Sequence, residues 1–283
     1  MADSRASTPA LIWSQIRYEN SLFWRTPVAA FFTILFPLMF LFLFSLIFGS
    51  QEIDLGPRGV FSVAQFFAPT LGAFAAASAT YTNLGIAGAI ARDEGILKRF
   101  LGTPLPRWIY IAGKVGSAIW IAAVAITLMM AVGHFVFDVP VFAARLPAAL
   151  ITFIIGTLAF SALGLLVAAL APSGESAPAI TNATILPMAF VSEVFIVTAD
   201  APAWLQRVGD FLPLKHFARA FQDAFNPAVS GAAFNWGRWG ILLAWGVVGA
   251  GLALKFFSWD PKEGRKGAKG RRDRSSETSA RAE

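Results

Sequence analysis

Side chains suited to catalysis or metal binding are scarce in this sequence. Its 283 residues include no cysteine and only two histidines, His134 and His216. A chain without thiols has no disulfide framework, no thiolate metal site and no cysteine nucleophile. Neither histidine stands at the spacing of a metal motif such as His-Glu-x-x-His, and Gly113-Lys114 is followed by valine, so it is not a phosphate-binding loop. We therefore expect no catalytic centre, no metal site and no cofactor in this chain.

One titratable residue, Glu193, interrupts the otherwise apolar stretch of residues 178–197. An acidic side chain at the centre of a membrane helix costs roughly 2.5–3.5 kcal/mol on insertion scales, so such groups tend to face a cavity or a partner. One interpretation makes Glu193 a residue that recognises a cation or gates an outer opening. The other places it at the level of the lipid headgroups, where it is paired or hydrated.

The segments that must position these residues are strongly apolar. Hydrophobic residues make up 56% of the chain and charged residues 14%, and the mean hydropathy is +0.61, which is typical of a membrane protein. A helix needs about 20 apolar residues to cross roughly 30 Å of hydrocarbon. The sequence therefore predicts an all-α membrane protein with six transmembrane helices. They cover residues 28–48, 63–90, 108–132, 146–171, 178–197 and 237–257.

The positions of Lys and Arg predict how these spans are oriented. If both termini are cytoplasmic, 17 of the 23 basic residues lie on the inner side, as the positive-inside rule requires. Residues 1–27 show no apolar core followed by a cleavage site, so we expect the first span, which opens a transmembrane domain of residues 28–257, to be retained. Residues 258–283 are basic and almost free of apolar side chains, which predicts a disordered cytoplasmic tail near anionic lipid and no binding of nucleic acid.

Two segments outside the spans show helical amphipathic patterns. In residues 8–25, polar side chains recur every four positions on one face, which predicts a helix lying in the membrane interface. Residues 198–236 form an outer segment in which Leu214, Phe217 and Phe221 share one helical face. This segment is either re-entrant, shielded by protein at membrane depth, or a simple surface helix.

A third segment, residues 91–107, is the longest cytoplasmic loop between spans. Its apolar residues follow helical spacing and its charged residues of both signs crowd the opposite face. Gly102 and Pro104 end the pattern, which predicts a short helix over residues 91–103. A lipid surface favours cations alone, so the mixed signs favour a protein partner.

The sequence of this loop, ARDEGILKRFLGTPLPRWIYIAGKV, resembles the cytoplasmic signature of the type-2 class of ABC exporter permeases, most closely the drug and lipid exporter branch. The matching pieces are Glu94-Gly95, Leu97-Lys98-Arg99 and Thr103-Pro104, in the order that the family shows. Residues 182–192 look like the family's fifth span, except that Glu193 follows Ser192 where the family usually has glycine. Residues 202–219 resemble its outer re-entrant segment.

The resemblance implies a permease that works with separate ATP-binding subunits, which hold the ATP and Mg²⁺. It also implies a dimer, either of identical copies or with a close paralogue. The helix over residues 91–103 then docks on the ATPase, and its mixed charges support that role independently. The residues assigned to this contact are Arg92, Glu94, Gly95, Leu97, Lys98, Arg99, Thr103 and Pro104.

The resemblance further implies export of a hydrophobic or amphipathic, drug-like or lipid-like substrate across a bacterial-type inner membrane. The route runs along the second and fifth spans, although each Asn or Thr there alternatively bonds only a neighbouring helix. The candidate pathway residues are Thr80, Asn83, Thr181, Asn182, Thr184, Phe190, Ser192 and Glu193.

Two other classes of protein remain as alternatives. An ion-coupled transporter or channel places ionisable groups at mid-membrane, where only Glu193 qualifies. Collapse of the proton gradient with ATP maintained would separate it from an ATP-driven exporter. A membrane-embedded enzyme needs partners for the two histidines, and a metal requirement for activity would reveal it.

Overall fold

The computed structural model describes residues 7–49, 51–54, 56, 59–100, 102, 105–196 and 202–257. Helices dominate this part of the chain, with a π-helical segment at Phe31–Leu35, a 3-10 turn at Ala143–Arg145 and one small hairpin. The helices are α1 (Thr8–Trp24), α2 (Pro27–Ala30), α3 (Phe36–Phe48), α4 (Val63–Asp93), α5 (Ile96–Phe100), α6 (Arg107–Phe137), α7 (Leu146–Leu170), α8 (Ala177–Val191), α9 (Ala203–Phe211), α10 (Pro213–Asp223) and α11 (Trp236–Phe256). The predicted basic tail, residues 258–283, lies outside the described residues.

Among the described residues, four helices are long and apolar enough to cross a membrane. They are Pro27–Phe48, Arg107–Phe137, Ala143–Leu170 and Trp236–Phe256. Four of the six predicted spans coincide with them, and the prediction of a mostly helical membrane protein is confirmed. The π-helical turn inside the first of these helices ends two residues before Pro37, whose ring would clash with the carbonyl of Thr33 in a regular α-helix.

Helix α4, which corresponds to the predicted span 63–90, forms the centre of the bundle. Its 31 residues contact α3, α6, α7, α8 and α10, and most of them are buried. Ala, Gly, Ser and Thr make up much of α4 because neighbouring helices approach its backbone closely. A Cβ atom added at Gly164 of α7 would lie 2.6 Å from the carbonyl oxygen of Tyr81. Since α4 packs against protein on most sides, its surface consists largely of small residues, and these give it a lower hydropathy than the lipid-facing helices.

The predicted span 178–197 is shorter in the structure than in the prediction. Helix α8 ends at Val191 after 15 residues, a length of about 22 Å at 1.5 Å per residue. Glu193 adopts a left-handed backbone with φ of 63°, and the amide of Val194 bonds back to the carbonyl of Ala189. The helix therefore stops below the roughly 30 Å that hydrocarbon requires.

A two-stranded antiparallel hairpin follows the first span, which the all-α prediction missed. Strand β1 (Glu52–Asp54) pairs with β2 (Val60–Ser62), with Ile53 opposite Phe61. Phe61 is 1% exposed and anchors the hairpin on the bundle. The side chain of Ser62 then caps the start of α4 by accepting a bond from the amide of Gln65.

Helix α1 shows the amphipathic faces that the sequence predicted. Ser14, Arg17, Ser21 and Arg25 are exposed, and Phe23 on the opposite face is buried. The placement of this helix in a membrane interface stays a prediction.

The buried face of α1 packs on α6. Glu19, which breaks the apolar pattern of that face, lies 2.9 Å from the ammonium of Lys114, and both side chains are nearly buried. The apparent flaw in the pattern is therefore an ion pair that fixes α1 to α6.

The outer segment folds into α9 and α10, and α10 lies within the bundle. It contacts α4, α7 and α11, and Leu214, Phe217 and Phe221 are all buried, as their spacing predicted. Gln222 donates to the carbonyl of Phe66 on α4 at 3.2 Å. Of the two alternatives for this segment, burial by neighbouring helices favours the protein-shielded one over the surface helix.

Candidate transport cavity and coupling helix

The signature loop, residues 91–107, folds into a turn at Gly95 and a helix shorter than predicted. Residues 91–93 continue α4, and the predicted helix over 91–103 is reduced to α5, five residues long. Gly95 has a φ of 68°, a left-handed conformation that glycine adopts at no steric cost, and it separates the two helices. Residues Leu101, Thr103 and Pro104 lie outside the described residues.

The two faces of α5 differ as the sequence predicted. Leu97 is 1% exposed, and the ring of Phe100 lies 4.6 Å from that of Tyr110 at the start of α6. Glu94, Lys98 and Arg99 are exposed. The structure therefore presents both signs of charge on a surface held by apolar contacts, and its role as an ATPase contact stays a prediction.

Arg92 is placed differently from the prediction that put it on the exposed charged face. Its side chain is fully buried and donates to the carbonyl oxygens of Ala168 and Ala171, each at 2.8 Å. The reason is that α4 extends through Asp93, so Arg92 points at the end of α7 and away from the surface of α5. A side chain with no exposed area in this structure does not contribute to the charged surface of the loop.

An open, mainly apolar cavity of about 490 Å³ lies between the first span, α4 and α8. Two of the predicted pathway residues, Asn83 and Asn182, line it together. The sequence analysis did not single out Ser78 and Thr82, which also line it, and within the described part of the chain the buried Thr82 hydroxyl has no hydrogen-bond partner. The π-helical turn contributes Phe32 and Thr33 to the wall.

The remaining predicted pathway residues are not among those that line this cavity. The hydroxyls of Thr80 and Thr181 donate to carbonyls one turn back in their own helices, and Thr184 lies 2.6 Å from the hydroxyl of Tyr81. Ser192 is fully buried, whereas Phe190 is exposed at the end of α8. Thr184 therefore shows the predicted alternative, a contact with a neighbouring helix, whereas Thr80 and Thr181 bond within their own helices, which neither interpretation predicted.

A smaller cavity of about 250 Å³ adjoins the first on its α1 side. Asn83 and Thr26 line both, and the amide of Asn83 donates to the hydroxyl of Thr33 at 3.2 Å. The Glu19–Lys114 pair lies in the wall of the smaller cavity. Asn83 therefore stands at the junction of two apolar spaces, with polar groups at few positions.

Glu193 forms the centre of an ion cluster at the outer end of α8. Its carboxylate accepts bonds from Arg219 Nε at 2.9 Å and Nη2 at 2.6 Å, and Lys215 Nζ lies 3.8 Å away. Lys215 also pairs with Asp210 at 2.8 Å. The charge of Glu193 is therefore compensated by residues of this chain, and both interpretations, a gating residue and a residue at headgroup level, stay predictions.

The histidines bond to backbone groups. His134 Nδ1 lies 2.9 Å from the carbonyl oxygen of Val139, and His216 Nε2 lies 2.6 Å from that of Asp210. Among the described residues, no group of three or more side chains is placed to hold a metal ion.

Long apolar helices around a buried central helix that borders an apolar cavity define a multi-pass helical membrane protein. The chain belongs to the ABC-2 type transporter family, whose model matches residues 10–226. The resemblance found in the sequence is thereby confirmed.

Two relatives share the sequence over part of their length. The probable multidrug ABC transporter permease YbhR of Escherichia coli (strain K12) is 28% identical over 136 residues, and the protein of the same name from Escherichia coli O157:H7 gives the same values. The matched region covers 48% of this chain and 36% of each relative.

Proposed function

We propose that this chain is the transmembrane permease subunit of an ATP-driven exporter that moves a hydrophobic or amphipathic, drug-like or lipid-like substrate out of the cytoplasm or the inner leaflet. The observation that carries the proposal is the apolar cavity of about 490 Å³ beside α4, the helix whose cytoplasmic end leads into the hinged α5. Family membership and the multidrug permease among the relatives support it.

The cavity suits an amphiphile better than a hydrated ion. Most of the exposed area of its wall is apolar, and six polar residues supply uncharged hydroxyl and amide groups: Thr26, Thr33, Ser78, Thr82, Asn83 and Asn182. Sites of this kind gain affinity from apolar contact and orient the ligand through a few polar groups. An ion-coupled transporter needs ionisable groups at membrane depth, and Glu193, the candidate for that role, is held by Arg219.

ATP hydrolysis then takes place on a separate ATP-binding subunit, which docks on Glu94, Lys98 and Arg99. Binding of ATP and Mg²⁺ on that partner closes it against α5 and shifts the bundle between inward and outward openings. Nucleotide drives this change only through different affinities for the two states. A second permease copy, identical or a close paralogue, completes the transporter.

We propose six spans in a bacterial-type inner membrane, with both termini cytoplasmic. Four of the spans are the long apolar helices. The fifth is α4, whose 31 residues exceed the length that a bilayer needs, and the sixth is formed by α8 with the outer segment. Helix α1 lies along the cytoplasmic interface, where its exposed Trp13, Tyr18 and Trp24 suit the headgroup region. The hairpin and α10 then face outwards.

The experiment purifies the chain without crosslinker, together with its ATP-binding subunit, and measures uptake of a lipophilic fluorescent dye into proteoliposomes. The variant Glu94→Lys/Lys98→Glu reverses both signs and should weaken association with the ATPase at least about tenfold, because charges in an interface set partner choice and register. Glu52→Lys on the hairpin, at the other end of α4, is the matched control. Dye transport that persists without the ATPase, or with its nucleotide site disabled, would contradict the proposal.

A further inference from the structure

We propose that Arg92 and Asp93 form a bracket that transmits movement of α5 to α8, acting as positioning residues that do not touch the ATPase. This inference rests on the proposed function, because it assigns how force from an ATP-binding partner reaches the cavity. It differs from the sequence prediction, which placed Arg92 in the ATPase contact.

The bracket begins with the guanidinium of Arg92 at the end of α7. Nη1 donates to the carbonyls of Ala168 and Ala169 at 2.8 and 3.3 Å, and Nη2 donates to that of Ala171 at 2.8 Å. These carbonyls lie at the C-terminal end of α7, where the helix dipole favours a cation. Arg92 therefore ties the end of α4 to the end of α7.

Asp93 continues the bracket into the turn that precedes α8. Its Oδ1 accepts bonds from Nε and Nη2 of Arg92 at 3.1 and 3.0 Å, and its Oδ2 accepts a bond from the amide of Gly174 at 2.6 Å. One carboxylate thus neutralises the buried cation and holds the α7–α8 turn. A buried charge without such a partner is strongly unfavourable.

The turn itself is braced, so it passes displacement on to α8. The hydroxyl of Ser176 accepts from the amide of Ser173, and the hydroxyl of Ser173 accepts from the amide of Ser176. Helix α8 begins at Ala177, directly after this pair. On the other side, only Glu94 and Gly95 separate Asp93 from α5.

Two properties of the site favour transmission over simple anchoring. The bracket lies next to the break between α4 and α5 at the left-handed Gly95, and α5 packs on the start of α6 through apolar contacts such as Phe100 on Tyr110. The bracket also leads to α8, whose Asn182 and Leu186 line the cavity opposite α4. Any tilt of the end of α4 must therefore move the start of the helix that forms the far wall.

The test uses spin labels attached to introduced cysteines. Because this chain has no cysteine of its own, it is labelled only at those positions. Ala183→Cys on α8 and Val247→Cys on α11 are exposed positions for the two labels. Pulsed electron resonance then measures the distance between them in the complete complex with the ATPase, in nanodiscs, without nucleotide and with ADP and vanadate. Arg92→Met, Asp93→Asn and the conservative Arg92→Lys are compared with Arg17→Met, an exposed arginine on α1.

We expect Arg92→Met and Asp93→Asn to retain the ATPase and to reduce, by about twofold to thirtyfold, the effect of nucleotide on the ratio of the two label-distance populations. Arg92→Lys should recover part of the shift, because an ammonium bonds carbonyls but lacks the planar fork that also engages the carboxylate. Arg17→Met should leave the shift unchanged.

An undiminished shift in both variants would overturn the bracket, and so would loss of ATPase association by correctly folded variants, which would return Arg92 to the docking surface. If either single variant does not fold, the double variant Arg92→Met/Asp93→Asn decides, because it leaves no unpaired charge in the bracket and should show the same reduced shift. A wild-type complex without any nucleotide response would instead overturn the proposed function itself.

Discussion

The ion pair between Glu193 and Arg219 gives the sharpest test of the outer cluster. It joins the end of α8 to α10 through two charge-assisted hydrogen bonds of 2.6 and 2.9 Å, and the side chain of Glu193 is 7% exposed. We consider Arg219→Met, which keeps the apolar stem, and Glu193→Gln, which keeps the shape of the acid. Each removes one charge from the pair.

The expected magnitude follows from burial and from the neighbouring charges. Removing one partner of a fully buried ion pair costs about 3–5 kcal/mol. Here Arg219 is 24% exposed, and Lys215 stays 3.8 Å from the carboxylate and compensates part of its charge. We therefore expect each single variant to lower the free energy of unfolding by about 2–3 kcal/mol, close to the value of a hydrogen bond to a charged group.

The assay is a double-mutant cycle on the free energy of unfolding in detergent micelles, followed by the fluorescence of the nine tryptophans. The double variant should cost less than the sum of the singles, with a coupling energy of about 1.5–3 kcal/mol. Glu52→Gln combined with Arg219→Met is the control and should be additive within about 0.5 kcal/mol. If the effects of Glu193→Gln and Arg219→Met on the free energy of unfolding were also additive within about 0.5 kcal/mol, the reasoning would be refuted.

Three further predictions follow from single side chains. Lys114→Met leaves the nearly buried Glu19 without its partner at 2.9 Å and should destabilise the docking of α1 on α6 by about 3 kcal/mol. The measurement is hydrogen exchange of the α1 amides, which should become faster; an unchanged exchange rate would contradict the prediction. Gly95→Ala forces a side chain into a left-handed conformation and should cost about 1–2 kcal/mol in thermal unfolding, whereas Gly251→Ala, whose added Cβ meets nothing within 4 Å, should cost nothing. Asn83→Leu removes the polar group between the two cavities. It should weaken the apparent affinity for a transported dye roughly two- to tenfold and leave association with the ATPase unchanged. An unaltered affinity would exclude Asn83 from the transport route.

The parts of the fold that the sequence predicted best are those that depend on hydrophobicity and local spacing. Four predicted spans match long apolar helices, and the stripe containing Leu214 and Phe217 faces the core as predicted. The hairpin was missed because strands of three residues are too short for an alternating pattern. Gly56 and Gly59, both with positive φ, were its available turn signal.

The candidate site was only partly predictable, because distant contacts decide it. Asn83 and Asn182 were chosen as pathway residues and line one cavity, while Thr80 and Thr181 of the same spans bond their own backbone. Both kinds of residue are small and polar in sequence. Helix rotation, set by packing between α4 and its neighbours, determines which of them reaches open space.

By itself, the sequence determined the class of this protein, because transfer of apolar helices into a bilayer depends on composition and length. It also determined the family, through the signature in residues 91–107. Only the tertiary structure decided the partners of the charged residues. Arg92 lies beside the carbonyls of α7, 76 or more positions along the chain, and Glu193 meets Arg219, 26 positions away. Desolvation makes each of these charges depend on partners brought close by folding, and spacing along the chain does not reveal those partners.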